Sequence, residues 1–273
     1  MRKICVNLIY EFNQDFNYLL NVIKDVGFDG ISINWERNQD FIPLVNKTRE
    51  LGLYIEYIHG PFYRVNELWE KDSVIFSDVI EEMKECILFA HKINVNKIVA
   101  HAFIGFDKHE PNDIGVNRFI EIIEFAKKYN ITICLENVEG EEYLELLTQK
   151  TFPLYDNVAF CLDTGHELCY NRGKDQLALY GHKLAVTHIN DNLGVRGEKI
   201  HFLDDLHYIP GDGVIDLDNL IERLIKCDYQ GNVSFELKIK HDGKINENYY
   251  NIGAKEYYTR VFKIGEKIKT ELK

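Results

Sequence analysis

Several things are scarce in this sequence. Five prolines in 273 residues leave no proline-rich linker, and no low-complexity tract interrupts the chain. The six cysteines, at 5, 86, 134, 161, 169 and 227, form no CxxC pair. Cys5, Cys134 and Cys161 sit in apolar runs, where cysteine behaves as a small hydrophobe, so a disulfide framework is not expected. No window approaches 18 apolar residues, which excludes a membrane-spanning helix. The apolar stretch in "MRKICVNLIYEF" is too short for a secretory signal. Basic residues are outnumbered, 32 against 44 acids, for a net charge of −12. No global positive field attracts nucleic acid or anionic lipid, which lowers that expectation without forbidding a local basic patch. These absences describe a soluble protein of a reducing compartment, expected in the cytoplasm.

What is present is ample core, 45% hydrophobic and 12% aromatic, and an alternation. β-rich runs occur at 3–9, 30–35, 53–60, 97–103, 131–137, 158–166, 184–191 and 232–238, each bounded by polar or glycine-containing turns. Between them lie segments of helical spacing. In 77–94, Val79, Ile80, Met83, Ile87 and Ala90 share one face, and 117–130 and 217–228 repeat the pattern. Leu177–Tyr180 is a weaker helical signal. Eight strand–helix units predict a single (β/α)8 barrel domain over residues 1–273. An open doubly wound sheet is the runner-up, but no GxGxxG follows the first strand and no Walker-type loop is present.

In such a barrel the chemistry sits at the C-terminal strand ends. Those ends carry His59, His101, Glu136, Asp163, His188 and Glu236, one on each strand from the third to the eighth. His166 follows Asp163 by three residues, and Asp205 and His207 stand in the loop after strand seven. Imidazole with carboxylate suits zinc, manganese, cobalt or iron. Four carboxylates converging on one pocket repel unless protonated or neutralised by a cation. A lone strand-end histidine is more often structural, and a lone strand-end acid often caps the next helix. Joint placement of nine such groups favours ligation. The remaining histidines, 91, 109, 182, 201 and 241, read as solvent-facing or structural, with His201 nearest the Asp205–His207 loop.

"HGPF", "LENV", "LDTGH", "HIND", "DLHYIPGDGVIDL" and "FELK", in that order, resemble the xylose isomerase-like TIM-barrel superfamily. It includes sugar-phosphate isomerases and epimerases, ketose 3-epimerases and endonuclease IV-type apurinic-site nucleases. "VGFDGISI" (26–33) resembles the isomerase/epimerase branch. Likeness to the epimerases implies one divalent ion, zinc, manganese or cobalt, on Glu136, Asp163, His188 and Glu236. Glu136 and Glu236 would then pass a proton across a metal-stabilised enediolate. His166 would bind a substrate hydroxyl, and His59, His101 and His207 would line the pocket. Likeness to endonuclease IV implies instead that all nine groups hold three zinc ions acting on a phosphodiester.

Duplex recognition needs many phosphate-contacting cations, and the loop "GVRGEK" supplies only Arg196 and Lys199. That pair suits one phosphate or carboxylate of a small molecule, or is an ordinary solvated loop. Trp35, Phe62, Phe103 and Trp69 are candidate apolar walls for a sugar ring, or loop packing. The preferred reading is therefore a sugar or sugar-phosphate isomerase/epimerase, with the phosphodiesterase as alternative and a non-catalytic metal-stabilised barrel third. Relatives of this type range from monomers to tetramers, so a homo-oligomer is open.

Overall fold

The computed structural model describes residues 1–106 and 109–272. Strands alternate with helices: β1 (Ile4–Val6), α1 (Phe16–Val26), β2 (Gly30–Asn34), α2 (Ile42–Glu50), β3 (Tyr54–His59), α3 (Phe76–Lys92), β4 (Lys97–His101) and α4 (Asp113–Lys128). There follow β5 (Thr132–Glu136), α5 (Glu141–Thr151), β6 (Val158–Asp163), α6 (Thr164–Leu168), α7 (Gln176–Tyr180), β7 (Leu184–His188), α8 (Leu217–Lys226) and β8 (Val233–Phe235). A short hairpin, β9 (Lys240–His241) and β10 (Lys244–Ile245), precedes α9 (Glu247–Glu271). Strands β1 to β8 hydrogen-bond in the order β7-β6-β5-β4-β3-β2-β1-β8. Ile189, just past β7, bridges in parallel to Phe235 of β8, so the end strands meet. This is the (β/α)8 barrel that the alternation predicts.

The strands are shorter than their apolar runs. The run 158–166 is strand only through Asp163, and α6 begins at Thr164. The reason is local: the Asp163 side chain accepts the His166 N–H at 2.7 Å, capping the helix and ending the strand. His166 is therefore a helical residue. The weak signal at 177–180 is the five-residue α7, capped by Asp175.

The chain groups into two compact units. The first comprises Met1–Ile33, Asp40–Glu56 and Leu162–Lys273. Within it β1 pairs with β2 and β8, and Ile4, Val6, Leu19, Leu20, Ile23, Phe235 and Val261 are buried. Arg2 ties its base together by donating to the carbonyls of Gly231, Tyr229 and Leu272. Helix α9 is broken at Gly253, and its Tyr249, Tyr257 and Tyr258 are core residues.

The second unit comprises Asn34–Gln39 and Tyr57–Cys161. Its parallel ladder runs β3–β4–β5–β6, with Ile98 opposite Ile133 and His101 opposite Glu136. Trp69 is buried and donates its Nε1–H to Ala102 O at 2.7 Å. It lies so close over α4 that a Cβ on Gly115 would meet its ring at 2.0 Å, so only glycine fits there. On the surface, Arg37 and Arg64 both bind Asp78 of α3.

Candidate functional site

In the second unit, parallel pairing sets His59, His101 and Glu136 at the ends of β3, β4 and β5, with His101 opposite Glu136 and His59 opposite Val99. All three are buried, Glu136 completely. The Glu136 Oε2 lies 3.0 Å from His101 Nε2 and 3.4 Å from His59 Nε2. The His59 Nδ1 faces the Gly60 carbonyl at 3.1 Å. A carbonyl can only accept, so Nδ1 donates there, and Nε2 is the ring nitrogen turned toward the carboxylate. Phe62 walls this set, its ring 5.3 Å from that of His59 and 4.7 Å from that of His101.

In the first unit, His188 Nδ1 lies 3.0 Å from Glu236 Oε2 and 3.9 Å from Asp163 Oδ2. Asp163 is wholly buried. One of its oxygens caps α6, and the other accepts Asn190 Nδ2 at 2.7 Å. Asn190 can stand there because residue 165 is glycine: a Cβ would fall 1.9 Å from Asn190 Oδ1. His207 has a left-handed backbone, φ 47°. Its Nδ1 donates to the Glu236 carbonyl at 3.1 Å, and its Nε2 meets Asp205 Oδ2 at 2.9 Å. His166 Nε2 is 3.5 Å from the same Asp205 oxygen, and Lys238 Nζ is 3.7 Å from it. Burial opposes ionisation of Asp205, but His207, His166 and Lys238 together hold its carboxyl well below the usual range.

The other expectations divide. Phe103 stacks on Tyr143 at 4.1 Å, and Trp35 contacts Phe89 of α3, so both are engaged in packing. Arg196 is bound to Asp204 at 3.0 Å and to the Leu203 carbonyl, bracing its own loop. Lys199 is exposed. The "PGDG" turn is organised by Asp191, whose carboxylate accepts the N–H groups of Gly211, Gly213, Val214 and Ile215 at 2.8–2.9 Å. His201 caps a short turn over Phe202–Asp204, the structural role expected of it.

Two residues escaped the sequence reading. Asn190 and Lys238 each stand two positions beyond a strand-end ligand candidate, His188 and Glu236, and that period-two spacing was the available signal. His241, read as solvent-facing or structural, is partly buried near Asp205 and His207. Burial lowers its pKa, against the opposing Asp205 charge and a bond to the Leu203 backbone.

The donor chemistry fits a divalent ion. Ligand atoms of His59, His101 and Glu136 lie within 4.8 Å of one another, as do those of Asp163, His166 and His207. Imidazoles with carboxylates suit zinc, manganese or cobalt. The protein-family model described as xylose isomerase-like TIM barrel matches residues 20–255. The chain belongs to the xylose isomerase-like TIM barrel family. Among relatives of this xylose isomerase-like barrel, an inosose isomerase of Halalkalibacterium halodurans is 26% identical over 86% of the chain and 87% of the relative. The crystal structure of IOLI protein with a bound zinc atom superposes with a TM-score of 0.76 at 18% identity, covering 99% of each chain. An L-ribulose 3-epimerase structure gives a TM-score of 0.72 at 18% identity, over 99% of this chain and 96% of that one. No helix among the described residues of this family member is long and apolar enough to cross a membrane.

Proposed function

We propose that this protein is a divalent-metal-dependent isomerase or epimerase of a ketose or inosose-like polyol. The observation that carries the reading is the set of buried carboxylates at strand ends, each faced by imidazole nitrogens at 3.0–3.9 Å. Family membership and the inosose isomerase relatives support the same reaction class.

Glu136, Asp163, His188 and Glu236 would hold the ion. Bound there, it supplies Lewis-acid polarisation of a substrate carbonyl and its neighbouring hydroxyl. Glu236 and Glu136 move the proton: one takes it from the carbon beside the carbonyl, and the other returns it. Asn190 keeps Asp163 oriented through the 2.7 Å bond to its outer oxygen. His166, on the first turn of α6, would hold a substrate hydroxyl. Phe62 offers an apolar face for the sugar ring.

A phosphodiesterase reading keeps one supporting observation, that His59–His101–Glu136 and Asp163–His166–His207 are both competent for metal. It carries less weight because the chain is acidic and Arg196, the one arginine of the β7–α8 loop, is tied to Asp204. The deciding experiment incubates metal-loaded enzyme in D2O with ketoses, ketose phosphates and inososes. Deuterium entering the carbon beside the carbonyl supports the isomerase. No exchange across the panel, with nicking of abasic duplex DNA, would replace it by the phosphodiesterase.

A further inference from the structure

The first unit holds two neighbouring groups of metal-capable side chains. Asp163, His188 and Glu236 belong to the proposed catalytic centre. Asp163, His166 and His207, with Asp205 beside them, form the other. By donor chemistry alone this second group could take a zinc or cobalt ion as readily as the first. One feature on its flank argues otherwise: the Lys238 ammonium is 3.7 Å from Asp205 Oδ2, the carboxylate oxygen shared with both His166 and His207.

We infer that Lys238 keeps the His166–Asp205–His207 position free of metal, so that its own charge compensates Asp205 and limits the number of ions the protein binds. This inference rests on the proposed metal centre and adds a determinant of its stoichiometry.

The placement is built into the backbone. The Lys238 N–H donates to the His207 carbonyl at 3.1 Å, which locks the lysine to the residue it guards. One residue earlier, Leu237 is held at both backbone groups by Asn7, at 2.9 and 2.8 Å. The stem of Lys238 therefore starts from a fixed point although its head is half-exposed. A dication bound by Asp205 would sit at comparable distance from the ammonium and feel twice the repulsion of a unit charge.

The test counts metal and does not depend on turnover. Chelator-stripped protein is loaded with Co2+ or Zn2+, and bound ions are counted by elemental analysis, with cobalt absorption as a second readout. Lys238→Met is expected to take up one more ion per chain than the wild type, with at least ~100-fold tighter affinity at that position. Lys238→Arg, which keeps the charge, is expected to match the wild type. The double variant Lys238→Met/His207→Ala is expected to lose the extra ion. Lys238→Gln replaces the methionine variant if the latter does not fold. Equal, non-zero uptake by wild type and Lys238→Met overturns the inference and leaves the function reading intact. An extra ion that survives His207→Ala also overturns it. No uptake by any form removes both, whereas the expected counts with no isomerase activity remove only the function reading.

Discussion

Asn7 grips both backbone groups of Leu237: its Nδ2 donates to the carbonyl at 2.8 Å, and its Oδ1 accepts the N–H at 2.9 Å. A side chain from the residue after β1 thus carries the hydrogen-bond ladder beyond the last formal residue of β8. Its effect falls on Glu236 and Lys238, which flank the gripped residue.

Asn7→Ala leaves two backbone groups in a buried setting without these partners. The expected loss is ~2–6 kcal/mol of stability, at 1–3 kcal/mol per unsatisfied group, read from urea unfolding midpoints. Metal affinity should fall as well, because Glu236 loses its fixed point. Unchanged unfolding and unchanged metal affinity together would show that the grip is dispensable.

Glu136→Gln and Glu236→Gln are each expected to lower kcat by ~10²–10⁴-fold, the contribution of a positioned acid or base. Circular dichroism should remain that of the wild type. Near-normal turnover in either variant would rule out the two-glutamate proton transfer.

Stripping the metal should abolish turnover, and adding back zinc, manganese or cobalt should restore it. It should also lower the melting temperature, since an ion at 100 times its Kd stabilises by about 2.7 kcal/mol. Chelated protein with full activity would contradict the metal centre.

Gly165→Ala tests the support of Asp163. The new methyl would collide with Asn190 Oδ1, 1.9 Å away, so Asn190 must release Asp163 or α6 must move. An overpacking cost of ~1–3 kcal/mol is expected, with a rise in the metal Kd measured by calorimetry. A rise in Kd at unchanged stability would mark Asn190 as a positioning residue alone.

Acid stability should depend on Asp78. Bonds to Arg37, then to Arg64, hold its carboxyl below the ordinary range. A depressed carboxylate contributes stability that is fully present above its unfolded pKa, about 3.9. That contribution is lost as pH falls through the lower folded value. Asp78→Asn should flatten this part of the pH–stability curve below pH 4, and added salt should do the same because the groups are exposed. Identical acid limbs in wild type and variant would remove the assignment.

Much of the site could be read from the chain because each strand end is a fixed address. In a parallel barrel the residue that closes a strand faces the rim, so "KIVAH" and "ITICLE" place His101 and Glu136 without any tertiary information. The same logic does not reach His166 in "LDTGH". Asp163 caps the turn that follows it, which puts His166 on a helix and not in a loop. It fails for the aromatic residues: Phe62 contacts the ligand candidates, whereas Phe103 and Trp69 turn into packing. Local pattern does not encode which way a loop side chain rotates.

The sequence by itself determined the barrel and the six ionisable groups at its strand ends, since period-two and helical spacing are local properties of the chain. Only the tertiary structure decided which partners those groups keep. Asn190 meets Asp163 across 27 positions, and Lys238 meets Asp205 across 33. Arg196 is drawn to Asp204 within its own loop. Such pairings follow from how distant segments fold together, and a hydrogen bond or ion pair depends on distances that no local pattern contains.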